Sequence, residues 1–476
     1  MQKLRRVSSG IEGLDRVLDG GFIEGASYIV QGRPGAGKTI LSNQVAFARA
    51  AAGAKVLYVT LLAETHERLF QALSTLDFYD GEKVGQHIVY LSVFQALRDE
   101  GLGAIVKLLR NETKRHGATL LVFDGLLNAR DRADTDLDVK TFVAEIQSQA
   151  AFVGCTVLFL TSTRLEDSSP EHTMVDGVID LSDDLFGVRT MRRLQVRKSR
   201  GTGALGGLHQ FEISSKGITV YPRLEQAYAL STEGSEPSDK RISTGCADID
   251  LLIEGGFPSG SVTLLAGPAG SGKTTFGLHF LSQGSPQEPA LHFGFFETPA
   301  RLRMKASKLG IHLPPEPSFN VVWNPIAENW LDKLGHQLLD RVRELKVKRL
   351  FIDGLGGFER AAIQRERLTE FLSTLANQLR ELGVTTVLTW ELSEIPTTAV
   401  TGPTSQMSAI IDNLILFRQL EKDHDLERTI AVQKMRDSHF VTTTRKLDIT
   451  DKGLAIGDRL SSRERSGVTA NNSDKV

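Results

Sequence analysis

The chain has 476 residues, 41% of them hydrophobic and 24% charged, with a formal net charge of −2. That length exceeds what one hydrophobic core usually supports, and the composition is that of folded domains rather than of disordered or fibrous chains. A near-neutral balance argues against a protein whose main task is to coat nucleic acid, and no apolar run reaches the ~18 residues of a membrane-spanning helix.

Along the chain, the start Met1-Gln2-Lys3-Leu4-Arg5-Arg6 lacks the apolar core of a secretion signal, so a cytoplasmic location is expected. An opening motif follows: Ser9-Gly10, then Leu14-Asp15, Leu18 and Gly20-Gly21-Phe22. Tyr28-Ile29-Val30-Gln31 predicts a strand, and Ile40-Leu41-Ser42-Asn43-Gln44-Val45 predicts a helix. Between them lies Gly32-Arg33-Pro34-Gly35-Ala36-Gly37-Lys38-Thr39, which fits G-x-x-x-x-G-K-[ST]. In that context the loop turns backbone N–H groups inward around nucleotide phosphates. Gly32, Gly35 and Gly37 let the backbone close in, Lys38 neutralises phosphate charge, and the Thr39 hydroxyl reaches a magnesium ion.

The next strand, Val56-Leu57-Tyr58-Val59, leads to Leu62-Ala63-Glu64-Thr65. Glu64, 26 residues after Lys38, is the candidate base for an attacking water, with a helix-opening Glu as the bland alternative. Leu120-Leu121-Val122-Phe123-Asp124 is an apolar strand ending in an Asp that is followed by Gly. A carboxylate at a strand's C-terminal end faces the nucleotide crevice and there holds magnesium, whereas an isolated Asp would read as a turn residue. Val157-Leu158-Phe159-Leu160 predicts another strand covered on both faces. Cys155 is matched only by the distant Cys246, without ligand spacing, so both read as buried free thiols in a reducing compartment. Arg192-Arg193-Leu194-Gln195-Val196-Arg197-Lys198-Ser199-Arg200 is a basic run, followed by Ile213-Ser214-Ser215-Lys216-Gly217-Ile218.

Everything then happens again. The opening motif recurs as Thr244-Gly245, Ile249-Asp250, Ile253 and Gly255-Gly256-Phe257, at an offset of 235. The loop recurs as Gly267-Pro268-Ala269-Gly270-Ser271-Gly272-Lys273-Thr274, between Val262-Thr263-Leu264-Leu265-Ala266 and Thr275-Phe276-Gly277-Leu278-His279-Phe280. Glu297 stands 24 residues after Lys273, and Arg349-Leu350-Phe351-Ile352-Asp353 repeats the strand ending in Asp, again before Gly. Lys434-Met435-Arg436 matches Lys198-Ser199-Arg200, and Ile449-Thr450-Asp451-Lys452-Gly453-Leu454 matches the segment at Ile213, now at offset 236. A period this long means a duplicated domain, not a solenoid. Residues 1–230 are expected to form the first domain, 231–241 a polar linker, 242–460 the second domain and 461–476 a disordered tail. The fold class is α/β, each domain a mainly parallel sheet with helices on both faces. Both domains are expected to bind ATP with Mg2+.

With two such loops, the opening Ser/Thr-Gly with Leu/Ile-Asp and Gly-Gly-Phe, the Glu-Thr after the second strand and the Lys-x-Arg segment, the chain resembles the KaiC family, tandem RecA-type ATPases and autokinases of the circadian clock. The resemblance runs from Val7 to about Leu460. It implies a ring-shaped homohexamer with ATP between neighbouring subunits, and a KaiB-like or other signalling protein as partner. It also implies that Lys198, Arg200, Lys434 and Arg436 reach into the neighbour's nucleotide, since no role for them within a single chain is evident from the sequence; a solvated edge is their bland reading.

Departures accompany the matches. The family carries two adjacent glutamates where this chain has Ala63-Glu64 and Phe296-Glu297, so one carboxylate of each pair is gone. It also phosphorylates an adjacent Ser-Thr pair, and anchoring on Asp412 and Leu414-Ile415-Leu416-Phe417 places Ser408-Ala409 there. Ser408 is then the single phosphorylation candidate. The leading expectation is an ATP hydrolase working as a conformational switch, with serine/threonine autokinase activity in the second domain an open addition. A RadA/RecA-like DNA-dependent ATPase would need a zinc module, which the sequence lacks, or a basic DNA loop, for which the Arg192–Arg200 run is the best candidate. A nucleotide-gated scaffold with little turnover is the third class.

Overall fold

The computed structural model describes residues 4–61, 66–126, 135–162, 169–228, 239–325, 329–392, 407, 409–422, 425–436 and 438–459. Glu64, Ser408, residues 231–238 of the expected linker and the expected tail 461–476 lie outside them. The chain divides into two compact units, Met1–Ala227 and Tyr228–Val476.

In the first unit, the strand before the phosphate-loop motif, Ser27–Gln31, takes the centre of a nine-stranded sheet. From one edge the order is Ile88–Ser92, Val56–Thr60, Leu120–Asp124, Thr156–Thr161, Ser27–Gln31 and Gly177–Phe186, all parallel. An antiparallel ribbon, Arg189–Ser199, His209–Ser214 and Gly217–Tyr221, completes it. The continuous apolar runs are what this arrangement demands, because alternate residues of each strand enter different cores. Val30, Tyr58, Val122 and Leu158 join the helix residues Leu41, Val45 and Phe47. Ile29, Val59, Phe123 and Phe159 pack instead with Ile105, Leu109, Phe142 and Ile146 on the other face.

The second unit repeats the order strand for strand: Phe319–Trp323, Ala290–Gly294, Arg349–Asp353, Thr385–Glu391, Val262–Gly267 and Asn413–Lys422 in parallel, then Asp425–Met435, Arg445–Thr450 and Gly453–Arg459 antiparallel. Even an irregularity is copied. The register slips between Val178 and Ile179, where Arg197 is the extra residue on the facing strand, and between Leu414 and Ile415, where Gln433 is. Each slip is a β-bulge just ahead of the Lys-x-Arg segment.

The repeated opening turn has a mechanical role. Asp15 accepts from the Ser9 backbone N–H at 2.7 Å and the Ser8 hydroxyl at 2.5 Å. Asp250 does the same for Thr244 at 2.8 Å and Ser243 at 2.5 Å. The adjoining glycine lies against the helix that follows the loop motif, Gly10 on Ala48 and Gly245 on the His279 carbonyl, with no room for a Cβ. Among the described residues no helix is long and apolar enough to cross a membrane. Cys155 and Cys246 are buried free thiols in separate units.

The second unit's helix Lys273–Ser282 meets the sheet through Gly277, where a Cβ would run into the buried Phe351 ring. Alanine at a helix interior is normally favoured over glycine by ~1 kcal/mol. Overpacking of a core aromatic costs about 1–3 kcal/mol and should win here. Gly277→Ala is expected to lower the denaturant midpoint of the second unit's unfolding transition. A raised midpoint would show that Phe351 can yield without cost.

Candidate nucleotide sites

Each loop leaves its sheet at the C-terminal edge of the parallel strands and runs directly into a helix, Lys38–Ala51 or Lys273–Ser282. The N-cap is a glycine in left-handed conformation in both, Gly37 at φ 101° and Gly272 at φ 106°, a backbone that L side chains rarely adopt. The orphan N–H groups of the helix start and of the loop then converge on one point, the geometry that binds phosphate. Lys38 Nζ donates to the carbonyls of Gly32 at 2.7 Å and Arg33 at 3.0 Å. Lys273 Nζ donates to Gly267 at 2.8 Å and Pro268 at 2.6 Å. Burial lowers the pKa of both ammonium groups, while Asp124 opposes it for Lys38, and Glu391 and Asp353 oppose it for Lys273.

The first site is a cavity of about 510 Å³ lined by Gly35, Gly37, Lys38, Thr39, Thr60, Asp124 and Ser162 among others. The second, about 1080 Å³, brings together Gly270, Gly272, Lys273, Thr274, Glu297, Asp353, Thr389 and Glu391. In it the Thr274 hydroxyl donates to Asp353 Oδ2 at 3.0 Å and the Thr389 hydroxyl to Oδ1 at 2.9 Å, while Gly354 N–H donates to Thr389 at 2.7 Å. Among the described residues no cluster of three or more His, Cys, Asp or Glu side chains could hold a metal. One carboxylate beside one threonine hydroxyl at a phosphate loop nevertheless fits magnesium, which keeps several waters and takes the remaining oxygens from substrate phosphates. Thr39 with Asp124, and Thr274 with Asp353, are the residues that would hold it.

Glu297 lies on the wall of the second cavity, just before Thr298, which caps the helix Pro299–Lys308 by accepting from Arg301 N–H. The capping role thus belongs to the threonine, and the glutamate is left facing the site. Its Oε1 accepts from Lys305 Nζ at 2.7 Å, and its Oε2 is buried without a hydrogen-bond partner. Phe296, where the resemblance expects a second carboxylate, is half exposed at the cavity wall. Sequence reasoning missed two polar residues here, Thr389 and Glu391, and the buried His292 beside Asp353. Thr389 and Glu391 lie at the end of the strand Thr385–Glu391, and nothing at the matching Leu160 and Ser162 hints at them.

The Lys-x-Arg segments require a correction, because they do have a role within the chain. Lys198 Nζ donates to the His172 carbonyl at 2.6 Å and Arg200 to that of Thr173 at 3.0 Å, pinning the short helix Pro170–Met174. Lys434 donates to the Ile411 carbonyl at 2.9 Å, and Arg436 reaches Asp412 Oδ1 at 3.3 Å. None of the four lines the cavity of its own unit. Two arginines of the basic run are likewise occupied: Arg193 pairs with Asp184 at 2.5 Å and Arg197 with Asp180 at 3.2 Å, inside a strand and not on an open loop.

Compared with known proteins, a family model described as KaiC ATPase matches residues 7–225 and again 242–461. The circadian clock oscillator protein KaiC of Synechococcus elongatus is 25% identical over 98% of this chain and 91% of its own length. The protein of the same name from Picosynechococcus is 25% identical over the same shares. The circadian clock protein KaiC3 of Synechocystis is 24% identical over 95% of this chain and 92% of its own length.

The two strand-end carboxyls differ in cost. Burial pushes Asp124 up to about 6 against the pull of Lys38 and Thr39. Burial also raises Asp353, but the His292 ring and the Thr389 and Thr274 hydroxyls outweigh it and hold that carboxyl below its ordinary value. A raised folded value means that the native state keeps the proton better than the unfolded chain. The favourable contribution is complete below the unfolded value of 3.8 and lost as pH rises through about 6. At pH 7, without nucleotide or metal, ionised Asp124 therefore destabilises the fold by up to about 3 kcal/mol. Asp124→Asn should raise the calorimetric unfolding temperature at pH 7, with the gain shrinking steadily from pH 6 to 4. Asp353→Asn should bring no gain at pH 7. A destabilised Asp124→Asn protein at pH 7 would contradict this account.

Proposed function

The chain belongs to the KaiC ATPase family, and we propose that it is an oligomeric, magnesium-dependent ATP hydrolase that uses turnover at two sites per chain as a conformational switch. The observation that carries the reading is the repetition of one arrangement, a loop lysine, a threonine hydroxyl and a strand-end carboxylate around a helix N-terminus, in both units. Lysine and backbone N–H groups neutralise the phosphates and orient the terminal one for in-line attack. Magnesium, when bound, adds charge neutralisation on the β- and γ-phosphate oxygens.

In the second unit Glu297 is the one glutamate kept from the expected pair, and it is the proposed base that orients water. Lys305 occupies one of its oxygens, which supports slow hydrolysis there. Glu64 is the corresponding proposal for the first unit. Without a carboxylate at Phe296 or a hydroxyl at Ala409, transfer to protein is proposed as a minor reaction confined to Ser408. The ion pairs of Arg193 and Arg197 within the basic run support a switch over a DNA motor.

The assembly is proposed to be a cytoplasmic homohexameric ring with a KaiB-like or other signalling partner. Lys198, Arg200, Lys434 and Arg436 hold local carbonyls and Asp412 while directing their remaining N–H groups at a neighbour's phosphates. Such trans-acting cations stabilise transition-state charge.

The deciding experiment incubates the full chain with γ-labelled ATP and follows both free phosphate and label on the protein. Release of phosphate with substoichiometric label, confined to Ser408, is expected. Absence of phosphate release with Mg2+ would overturn the hydrolase reading, and label persisting in Ser408→Ala would place the acceptor elsewhere. Lys38→Ala and Lys273→Ala should each remove about half of the bound nucleotide, as read by equilibrium dialysis. Arg200→Ala and Arg436→Ala should lower turnover more than nucleotide affinity, and sedimentation should show a ring stabilised by a non-hydrolysable ATP analogue. A monomer at micromolar concentration with and without that analogue would rule out the ring.

A further inference from the structure

The second unit buries an imidazole that the chemistry above leaves unused. His292 lies in the strand Ala290–Gly294, 1% exposed, and neither ring nitrogen has a hydrogen-bond partner. Gly294 shares its face of the strand, and the ring lies over it so closely that a Cβ there would strike ring Cε1. The ring thus leans along the strand toward the C-terminal edge of the sheet, beside Phe351, and its Nε2 comes within 3.9 Å of Asp353 Oδ2. A buried polar nitrogen is rarely left unmatched. This one stops just short of an acceptor, so a small turn of the carboxylate would join them.

Strand pairing identifies the counterparts in the first unit. His292 faces Phe351 and Gly294 faces Asp353, as Tyr58 faces Val122 and Thr60 faces Asp124. Tyr58 is therefore in the place of His292, and its hydroxyl is engaged by Ser42 at 2.9 Å and Asn43 at 3.1 Å on the neighbouring helix. The residue paired with Asp124 from the next strand is Leu160, where the second unit has Thr389. The first carboxylate has neither outer partner.

We propose that His292 and Thr389 are positioning residues that fix Asp353 for a divalent cation, His292 Nε2 donating to Oδ2 as the carboxylate turns to the metal, and that the second site consequently binds magnesium more tightly than the first. The proposal rests on the reading of both cavities as magnesium–nucleotide sites. A carboxylate pinned at one oxygen by Thr389 and backed at the other by an N–H has lost its freedom before the metal arrives. Outer partners of this kind change metal affinity by roughly 10–100-fold.

The test uses the full chain with ADP and Mn2+, free Mn2+ being read by electron paramagnetic resonance. Lys38→Ala leaves the second site to report and Lys273→Ala the first. The second site is expected to hold Mn2+ about tenfold more tightly. His292→Leu and Thr389→Val should each remove most of that advantage. His292 does not line the cavity, so His292→Leu should leave ADP affinity in EDTA unchanged, a split that general damage to the fold would not produce. His292→Gln, which keeps a side-chain N–H, should retain most of it. In the first site Leu160→Thr should tighten Mn2+. Equal Mn2+ affinities in the two backgrounds would overturn the proposal, as would unaltered affinity in folded His292→Leu and Thr389→Val. Should those variants not fold, Leu160→Thr decides alone, and an unchanged first site overturns the proposal. Failure of ADP to bind in either background is a different result, which removes the two-site reading beneath it.

Discussion

A lysine ammonium and an aspartate carboxylate share the C-terminal edge of each parallel sheet, and burial works against the charge of both. Each makes the other tolerable: Asp124 and Asp353 support the charged form of Lys38 and Lys273, and Lys38 draws Asp124 back toward ionisation. Much of the surrounding architecture serves to hold that pair. The loop strand sits centrally, so strands on both sides deliver residues to one crevice. Left-handed glycines start the helices so that N–H groups reinforce the cation. The opening turn, clasped by Asp15 or Asp250, braces the helix from behind. In the first unit such a site spends stability in the empty protein on strength of binding when charge arrives.

How far the sequence revealed this follows from which residues repeat. Gly37, Lys38 and Thr39 were legible because the loop needs particular residue types at fixed spacing, and its second copy removed chance as an explanation. The parallel sheet was legible because strands covered on both faces carry unbroken apolar runs, as Leu120–Phe123 and Leu350–Ile352 do. The contacts of Lys198 and Lys434 were not, because a bond to a backbone carbonyl imposes no residue type on the accepting partner. Thr389, Glu391 and His292 escaped for another reason. They differ from Leu160, Ser162 and Tyr58, so reasoning from repetition passes over the positions at which the copies diverged.

Two of those divergences, at His292 and Thr389, concern what surrounds the carboxylate, and the third, Glu391, acts on the loop lysine. In the first unit the tyrosine at the matching strand position bonds back to the helix through Ser42 and Asn43, which stiffens the core. In the second a smaller glycine-flanked strand gives the histidine room to lean toward the crevice, with Gly277 making the parallel concession to Phe351. Two sites with the same inner residues can thus differ in how firmly those residues are held. That is a physical route by which duplicated domains come to do separate work on one ligand.

The bulges at Arg197 and Gln433 bear on how such a protein tolerates change. Each inserts one residue into a ribbon whose side chains alternate between faces. The bulge absorbs that residue, so Lys198 stays opposite Val178 and Lys434 opposite Leu414, and the cations beyond keep their face despite the added length. Loss of a single codon here would keep the pairing but remove the local bend and added twist, which shifts the aim of two cations at once without exchanging their face. Length, as well as residue identity, is therefore under constraint in this ribbon, and homologous chains that vary freely in their loops should hold a constant count between the two ribbon strands and the cations that follow.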